Sequence, residues 1–249
     1  MENSKEPWEL RSDDTRTEDK LPTFIIFTED KVSERVYFKS FETDKMKVNA
    51  IGNQKSKIAN VINAITHCQQ NALFNKSGNV AETGLQVWCV FDRDYNSDSN
   101  ETAKNDTLFD ESLRTAEGHN IKVAWSNDCF ELWILLHYED INHTEQLLRD
   151  KYYERLTKIM EADVELCKNF SKAIDTGHYN YKECFKRESN FKNHILPILQ
   201  DETRRTAAIE RAEKLEKYHA TRNVVPHEMC PCTMVHHLVE ELLQCQQIP

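Results

Sequence analysis

Two short apolar runs, each stopped abruptly by acids, constrain this 249-residue chain more than any other feature. Phe24-Ile25-Ile26-Phe27 is ended by Thr28-Glu29-Asp30, and Val87-Trp88-Cys89-Val90-Phe91 is ended by Asp92-Arg93-Asp94. A run without alternating polar residues has no face to give to water, so each reads as a strand buried on both sides. Such strands need helices above and below. Val32 to Phe41 places Val32/Val36 and Tyr37/Phe41 at i,i+4 spacing, and Ile58, Val61, Ile62 and Ile65 mark one face of a second helix. A third helix is predicted around Phe109 to Glu117, and a strongly apolar one over Phe130 to Tyr138. Met46 to Ile51 and Ile121/Val123/Trp125 alternate as strands do, with Gly52-Asn53 as a turn. Strands alternating with helices predict an α/β fold, a parallel sheet covered on both faces.

From His143 onward the strand signals vanish. Apolar residues recur at helical spacing from Leu147 to Leu243. The predicted organisation is a polar tail over 1–20, an α/β core over 21–142 and an α-helical region over 143–249. The net charge of −10 divides unevenly: residues 1–142 hold 16 Lys+Arg against 25 Asp+Glu, and residues 143–249 hold 16 against 17. An acidic chain is a poor candidate for nonspecific nucleic-acid coating. Yet Lys182 to Arg222 carries ten basic residues against seven acids, and phosphate contacts are expected there. No apolar run reaches 18 residues, which excludes a spanning helix, and Met1 to Lys20 has no apolar stretch typical of a secretory signal. Eight scattered cysteines, several within apolar runs, suit a reduced cytoplasmic protein better than a disulfide scaffold.

In a parallel sheet, ligands sit at the carboxyl ends of the strands. Glu29 follows the first buried strand, and Asp92 and Asp94 follow the third. The Asp-x-Asp alternation points both aspartates one way and turns Arg93 aside. Converging carboxylates repel unless a cation neutralises them, and Mg²⁺ or Mn²⁺ is the natural partner for oxygen donors. A metal held there performs phosphoryl-transfer chemistry. Taken singly, Glu29 is better explained as a solvated loop residue; the three acids together favour a site.

The same segments resemble the RloB-like proteins. Phe24 to Glu29, with Glu34 and Tyr37-Phe38, is similar to that family's opening motif, and Val90 to Asp94 to its second. Ala124 to Trp133, running on to Leu136-His137-Tyr138, resembles its most distinctive stretch. Pro231-Cys232-Thr233 with Val235 and Leu238-Val239 resembles its closing pattern. The resemblance spans residues 21 to 243. It implies a Toprim-like parallel sheet sandwiched by helices, with an α-helical C-terminal extension. It also implies a Mg²⁺- or Mn²⁺-dependent nuclease that acts as toxin or effector in abortive-infection pairs such as RloA/RloB and AbiL. The substrate would be RNA, tRNA included, or DNA; the partner would be an ABC/SMC-like ATPase encoded nearby, and a homodimer is open to it. By carry-over, Glu29 is ligand or general base, Asp92 and Asp94 are metal ligands, and Glu34 is a further ligand. One departure stands out: Asp30 occupies a position where the family usually has Gly, which either adds a carboxylate or crowds the backbone.

Other residues carry two explanations each. Glu131, on an apolar helix, is either the polar side of that helix or a placed site residue, since an unpaired buried acid is costly. Asn127-Asp128 reads as an N-cap, with Asn127 a secondary site candidate. Glu34 suits the first turn of a helix without any metal. Lys182 is a candidate to neutralise a scissile phosphate, with Tyr181 stacking on a base and Lys186 and Arg187 gripping the backbone; an exposed polar loop explains them equally well. His227, Cys230, Cys232, His236 and His237 are residue types that bind zinc, but the CxxC spacing is absent and zinc is not expected there. Two other classes compete with the nuclease. A non-catalytic subunit of an ATPase would use the acids at an interface. A HAD-type phosphatase would use Asp92 as nucleophile, although its motif normally closes the first strand and not the third.

Overall fold

The sheet alternates between two hydrophobic layers residue by residue. In a computed structural model that describes residues 21–52, 55–81, 84–95 and 98–247, β1 (Thr23–Thr28) sends Phe24 and Ile26 into one layer and Ile25 and Phe27 into the other. All four are nearly inaccessible to water, worth about 1.5–3 kcal/mol each against exposure. The tail expected over 1–20 and Asn53 of the predicted turn lie outside the described residues.

After β1 come α1 (Ser33–Lys39), β2 (Lys47–Gly52), α2 (Lys57–Gln70), β3 (Leu85–Asp92), α3 (Ser99–Glu117), β4 (Lys122–Asn127) and α4 (Glu131–Leu136). The remainder is helical except for one short strand. It runs through α5 (Arg149–Glu161), α6 (Val164–Lys168), α7 (Ser171–Asp175), α8 (Tyr181–Phe185) and α9 (Glu188–Asn190). A π-helical turn over Phe191–Ile195 leads into α10 (Leu196–Gln200) and α11 (Glu202–Arg222), and β5 (Cys232–Thr233) precedes α12 (Val235–Gln246). Strand order is β2-β1-β3-β4-β5, with the first four parallel and β5 antiparallel to β4. The fold is the expected α/β sandwich with a parallel sheet.

One layer is built by Val61, Ala64 and Cys68 of α2 and by Phe109 and Ala116 of α3. The opposite layer joins α1, α4, α5, α11 and α12, so residues on both sides of position 142 share one hydrophobic cluster. Trp133 of α4 is completely buried in it, and Trp125 of β4 lies in the other layer.

Four local expectations need correction. The buried face of α2 is Lys57, Asn60, Val61, Ala64, His67 and Cys68, and Ile62 is half-exposed, because Asn60 is drawn inward to donate to the Phe27 and Val90 carbonyls. The third helix starts at Ser99, about three turns before Phe109; its early turns are polar and are announced only by Asp98, whose side chain caps the Asn100 and Glu101 N–H groups. The helical region does contain a strand, β5, two residues long and therefore without periodicity. Asn127-Asp128 does not cap α4, which begins after Phe130 with no side-chain cap.

Candidate functional site

The order β2-β1-β3-β4 makes the chain leave β1 toward one sheet edge and later return on its other side at β3. The carboxyl ends of β1 and β3 therefore flank the topological switch point, where an open α/β sheet forms a crevice. β1 pairs with β3 as far as Thr28 and Val90, and the Glu29 N–H continues the ladder to the Val90 carbonyl. Glu29 and Asp92 thus emerge side by side, and the Asp92 N–H donates to Glu29 Oε2 at 3.2 Å. Asp94 follows with a φ of 56°, a left-handed conformation that Asp tolerates better than most residues. Arg93 turns the other way, as the alternation predicts, and is held bidentately by Asp106 at 2.7 and 3.0 Å.

Two groups of charge meet here. In the first, a single Arg149 guanidinium nitrogen donates to both Asp92 Oδ2 and Asp94 Oδ1, and Lys57 Nζ lies 2.8 Å from Asp94 Oδ2. In the second, Lys186 Nζ lies 3.0 Å from Glu131 and 3.5 Å from Asp30. Asp30 also accepts from the Val32 N–H, while Glu34 accepts from the Asp30 N–H, two bonds that tie the loop after β1 to the first turn of α1. Asp30 is not among the residues with positive φ, so no glycine is required there and the position adds a carboxylate.

Asp128 works differently from the predicted cap. Its carboxylate accepts from the Tyr95 N–H at 2.6 Å and the Arg149 N–H at 3.0 Å, fastening the loop after β3 to the start of α5. Asn127 donates to the His227 carbonyl, away from the acids.

Seven carboxylates (Glu29, Asp30, Glu34, Asp92, Asp94, Asp128 and Glu131) are thus set against three cations (Lys57, Arg149 and Lys186). Burial, reinforced by the charge of Asp94, raises the Glu29 carboxyl from 4.5 to about 7. Burial raises Glu34 well above the usual range, helped by Asp30 and Glu29. Asp92 is raised too, chiefly by burial and although Arg149 opposes it. Surplus negative charge in a crevice is the condition under which a divalent cation binds. Asp92 Oδ1 is buried and has no hydrogen-bond partner, an oxygen donor that the contact with Arg149 leaves unused. The donor set therefore fits Mg²⁺ or Mn²⁺. Arg149 nevertheless holds the two aspartates. Among the described residues, the group of three acid or imidazole side chains whose ligand atoms all lie within 4.8 Å of one another is elsewhere, at Glu216, His236 and His237.

Several expectations are relocated. Tyr181 is fully buried, stacked between Tyr153 and Phe185, and is not available to a nucleic-acid base. Lys182, one position on, is exposed beside Tyr153, Glu154 and Lys158; the cation that reaches the acids is Lys186, a turn later on the same side. Arg187 is exposed at the start of α9. Glu131 is buried and ion-paired, so it is not the polar side of an amphipathic helix. Of the zinc candidates, His227 pairs with Asp110. Asp92 closes the third strand, which does not match the phosphatase pattern. Sequence reasoning missed Arg149, Lys57 and Asp128. Arg149 lies 57 residues from Asp92 and looks like any charged residue opening an amphipathic helix, while Lys57 is one of two lysines in Lys55-Ser56-Lys57.

The family described as RloB-like protein matches residues 24–242, nearly the whole chain. No curated protein and no solved structure matches.

Proposed function

The chain belongs to the RloB-like family, and on that premise we propose that it is a metal-dependent nuclease serving as the effector of an antiphage abortive-infection system. The observation that carries this is the switch-point crevice, where buried carboxylates outnumber the cations beside them and Asp92 keeps an unused oxygen. Asp92 and Asp94 would hold Mg²⁺ or Mn²⁺, with Glu29 and Glu34 as neighbouring acids. A divalent ion bound there supplies positive charge against a phosphodiester and makes nearby water more acidic. Glu29, with a carboxyl near neutrality, is suited to take a proton from the attacking water. Lys57, Arg149 and Lys186 present positive charge where the phosphate would sit, and Arg149 offers a planar guanidinium that fits two phosphate oxygens. The substrate is RNA, tRNA included, or DNA, and the partner is an ATPase that controls the effector.

A second reading has one observation in its favour. Arg149 already neutralises Asp92 and Asp94, as it would if the acids served only an interface with the ATPase. The deciding experiment sequences RNA and DNA ends from cells that express the wild type or Asp92→Ala, each with and without the candidate ATPase. The nuclease predicts discrete new ends with the wild type that are missing with the variant. Toxicity that survives Asp92→Ala without new ends identifies a binding subunit instead.

A further inference from the structure

Away from the carboxylates of the crevice, α11 and α12 bring two imidazoles and a carboxylate to one point. His236 Nε2 and His237 Nε2 each lie 3.0 Å from the same oxygen, Glu216 Oε2, and all three ligand atoms fall within 4.8 Å of one another. The two ring centroids lie 4.0 Å apart, with the ring planes tilted by 36°. Neighbouring residues on a helix normally diverge, so their convergence on one oxygen is a specific arrangement.

The chemistry of this group differs from that of the crevice. Two neutral nitrogens and one carboxylate oxygen are a borderline donor set, suited to Zn²⁺ and poorly suited to Mg²⁺. Metal–ligand bonds of about 2.0–2.2 Å in a tetrahedron separate the donor atoms by roughly 3.3–3.5 Å. The observed 3.0 Å separations therefore need only a small outward adjustment. His236 is completely buried, so its Nε2 is held in place by the packing around it. Its neighbour His237 is about half-exposed and has Glu240 3.7 Å from its Nδ1, an outer carboxylate of the sort that orients a ligating imidazole. The partial exposure of Glu216 and His237 leaves a fourth position open to water.

We propose that Glu216, His236 and His237 form a Zn²⁺ site that clamps α11 to α12. The clamp would fix the helical layer against the sheet, because α12 packs on β4 and α11 packs on α4 and β5. It does not rest on the nuclease assignment.

The test uses untagged full-length protein, stripped with a chelator and equilibrated with Zn²⁺ in a large excess of Mg²⁺. Bound zinc is measured after desalting, and the Co²⁺-substituted protein is examined by absorption spectroscopy. One equivalent of zinc is expected in the wild type and in Asp92→Ala. Removing an outer partner of a metal site costs 10–100-fold in affinity, so Glu216→Gln and His237→Ala should each weaken binding by about 100-fold or more. The Co²⁺ spectrum should show a tetrahedral nitrogen/oxygen centre. No zinc in the wild type, undiminished zinc in both variants, or a thiolate-to-cobalt charge-transfer band from the cysteines would each overturn the assignment. The Co²⁺ spectrum is read on the wild type, so the proposal stays refutable even if a variant folds poorly.

Discussion

Replacing Arg149 with alanine should destabilise the metal-free protein and make it more responsive to Mg²⁺. The Arg149 guanidinium lies 2.9 Å from Asp92 Oδ2 and also reaches Asp94, and Asp92 is buried. At an effective dielectric near 20, one such pair amounts to about 6 kcal/mol of attraction. The Arg149 side chain is 38% exposed, which screens that attraction, and its removal restores part of the desolvation cost. A net loss of about 2–3 kcal/mol remains, a fall in Tm of roughly 5–10 °C for a chain of this size. Mg²⁺ at about 100 times its Kd would return about 2.7 kcal/mol to the variant by mass action. The wild type should gain less, because Arg149 must first be displaced. Thermal melts in chelator and in Mg²⁺ at matched ionic strength measure both effects. An equal deficit with and without Mg²⁺, or no deficit at all, would refute the view that Arg149 occupies the place of a metal.

Lys186→Met leaves the buried Glu131 unpaired and should cost about 3 kcal/mol in urea unfolding, most of which Glu131→Gln in the same chain should recover. Recovery absent from the double variant would mean the pair is not coupled. Glu29 gives a pH signature in the metal-free state. Its carboxyl rises from 4.5 to about 7, so the native state binds more protons than the unfolded chain between those values. The stability it confers is complete below about pH 4.5 and is lost as pH rises through about 7; Glu29→Gln should flatten that fall by about 2–3 kcal/mol between pH 4.5 and 8. An unchanged pH profile would contradict it. Tyr181→Phe removes a buried hydroxyl that has no partner, so stability should change by less than about 1 kcal/mol and nucleic-acid affinity not at all. A loss of affinity by gel shift would restore Tyr181 to the binding surface.

The central sheet was legible because burial on two faces leaves a mark in the sequence. Phe24–Phe27 and Val87–Phe91 read as interior strands and are such strands, which puts the acids directly after them at the carboxyl edge. Elements stabilised by single contacts left no such mark. The polar first turns of α3 depend on the Asp98 cap, and β5 is two residues long. Charge partners were the least legible part of the site. Arg149 and Lys186 reach the acids from helices distant in sequence, and nothing local distinguishes Lys186 from Lys182. They lie one helical turn apart on the same side, and only the packing of α8 brings Lys186, not Lys182, beside Glu131. Tyr181 shows the same effect: in sequence it reads as an aromatic beside a base, yet its neighbours Tyr153 and Phe185 enclose it.

The crevice as a divalent-cation site for phosphodiester hydrolysis is tested most directly by incubating purified protein with end-labelled single-stranded and duplex RNA and DNA. The series runs in chelator, in Mg²⁺ and in Mn²⁺, for the wild type, Asp92→Ala and Glu29→Ala. The predicted result is cleavage of one nucleic-acid class that needs Mg²⁺ or Mn²⁺ and disappears in both variants. Cleavage that persists unchanged in chelator, or in both variants, would contradict it.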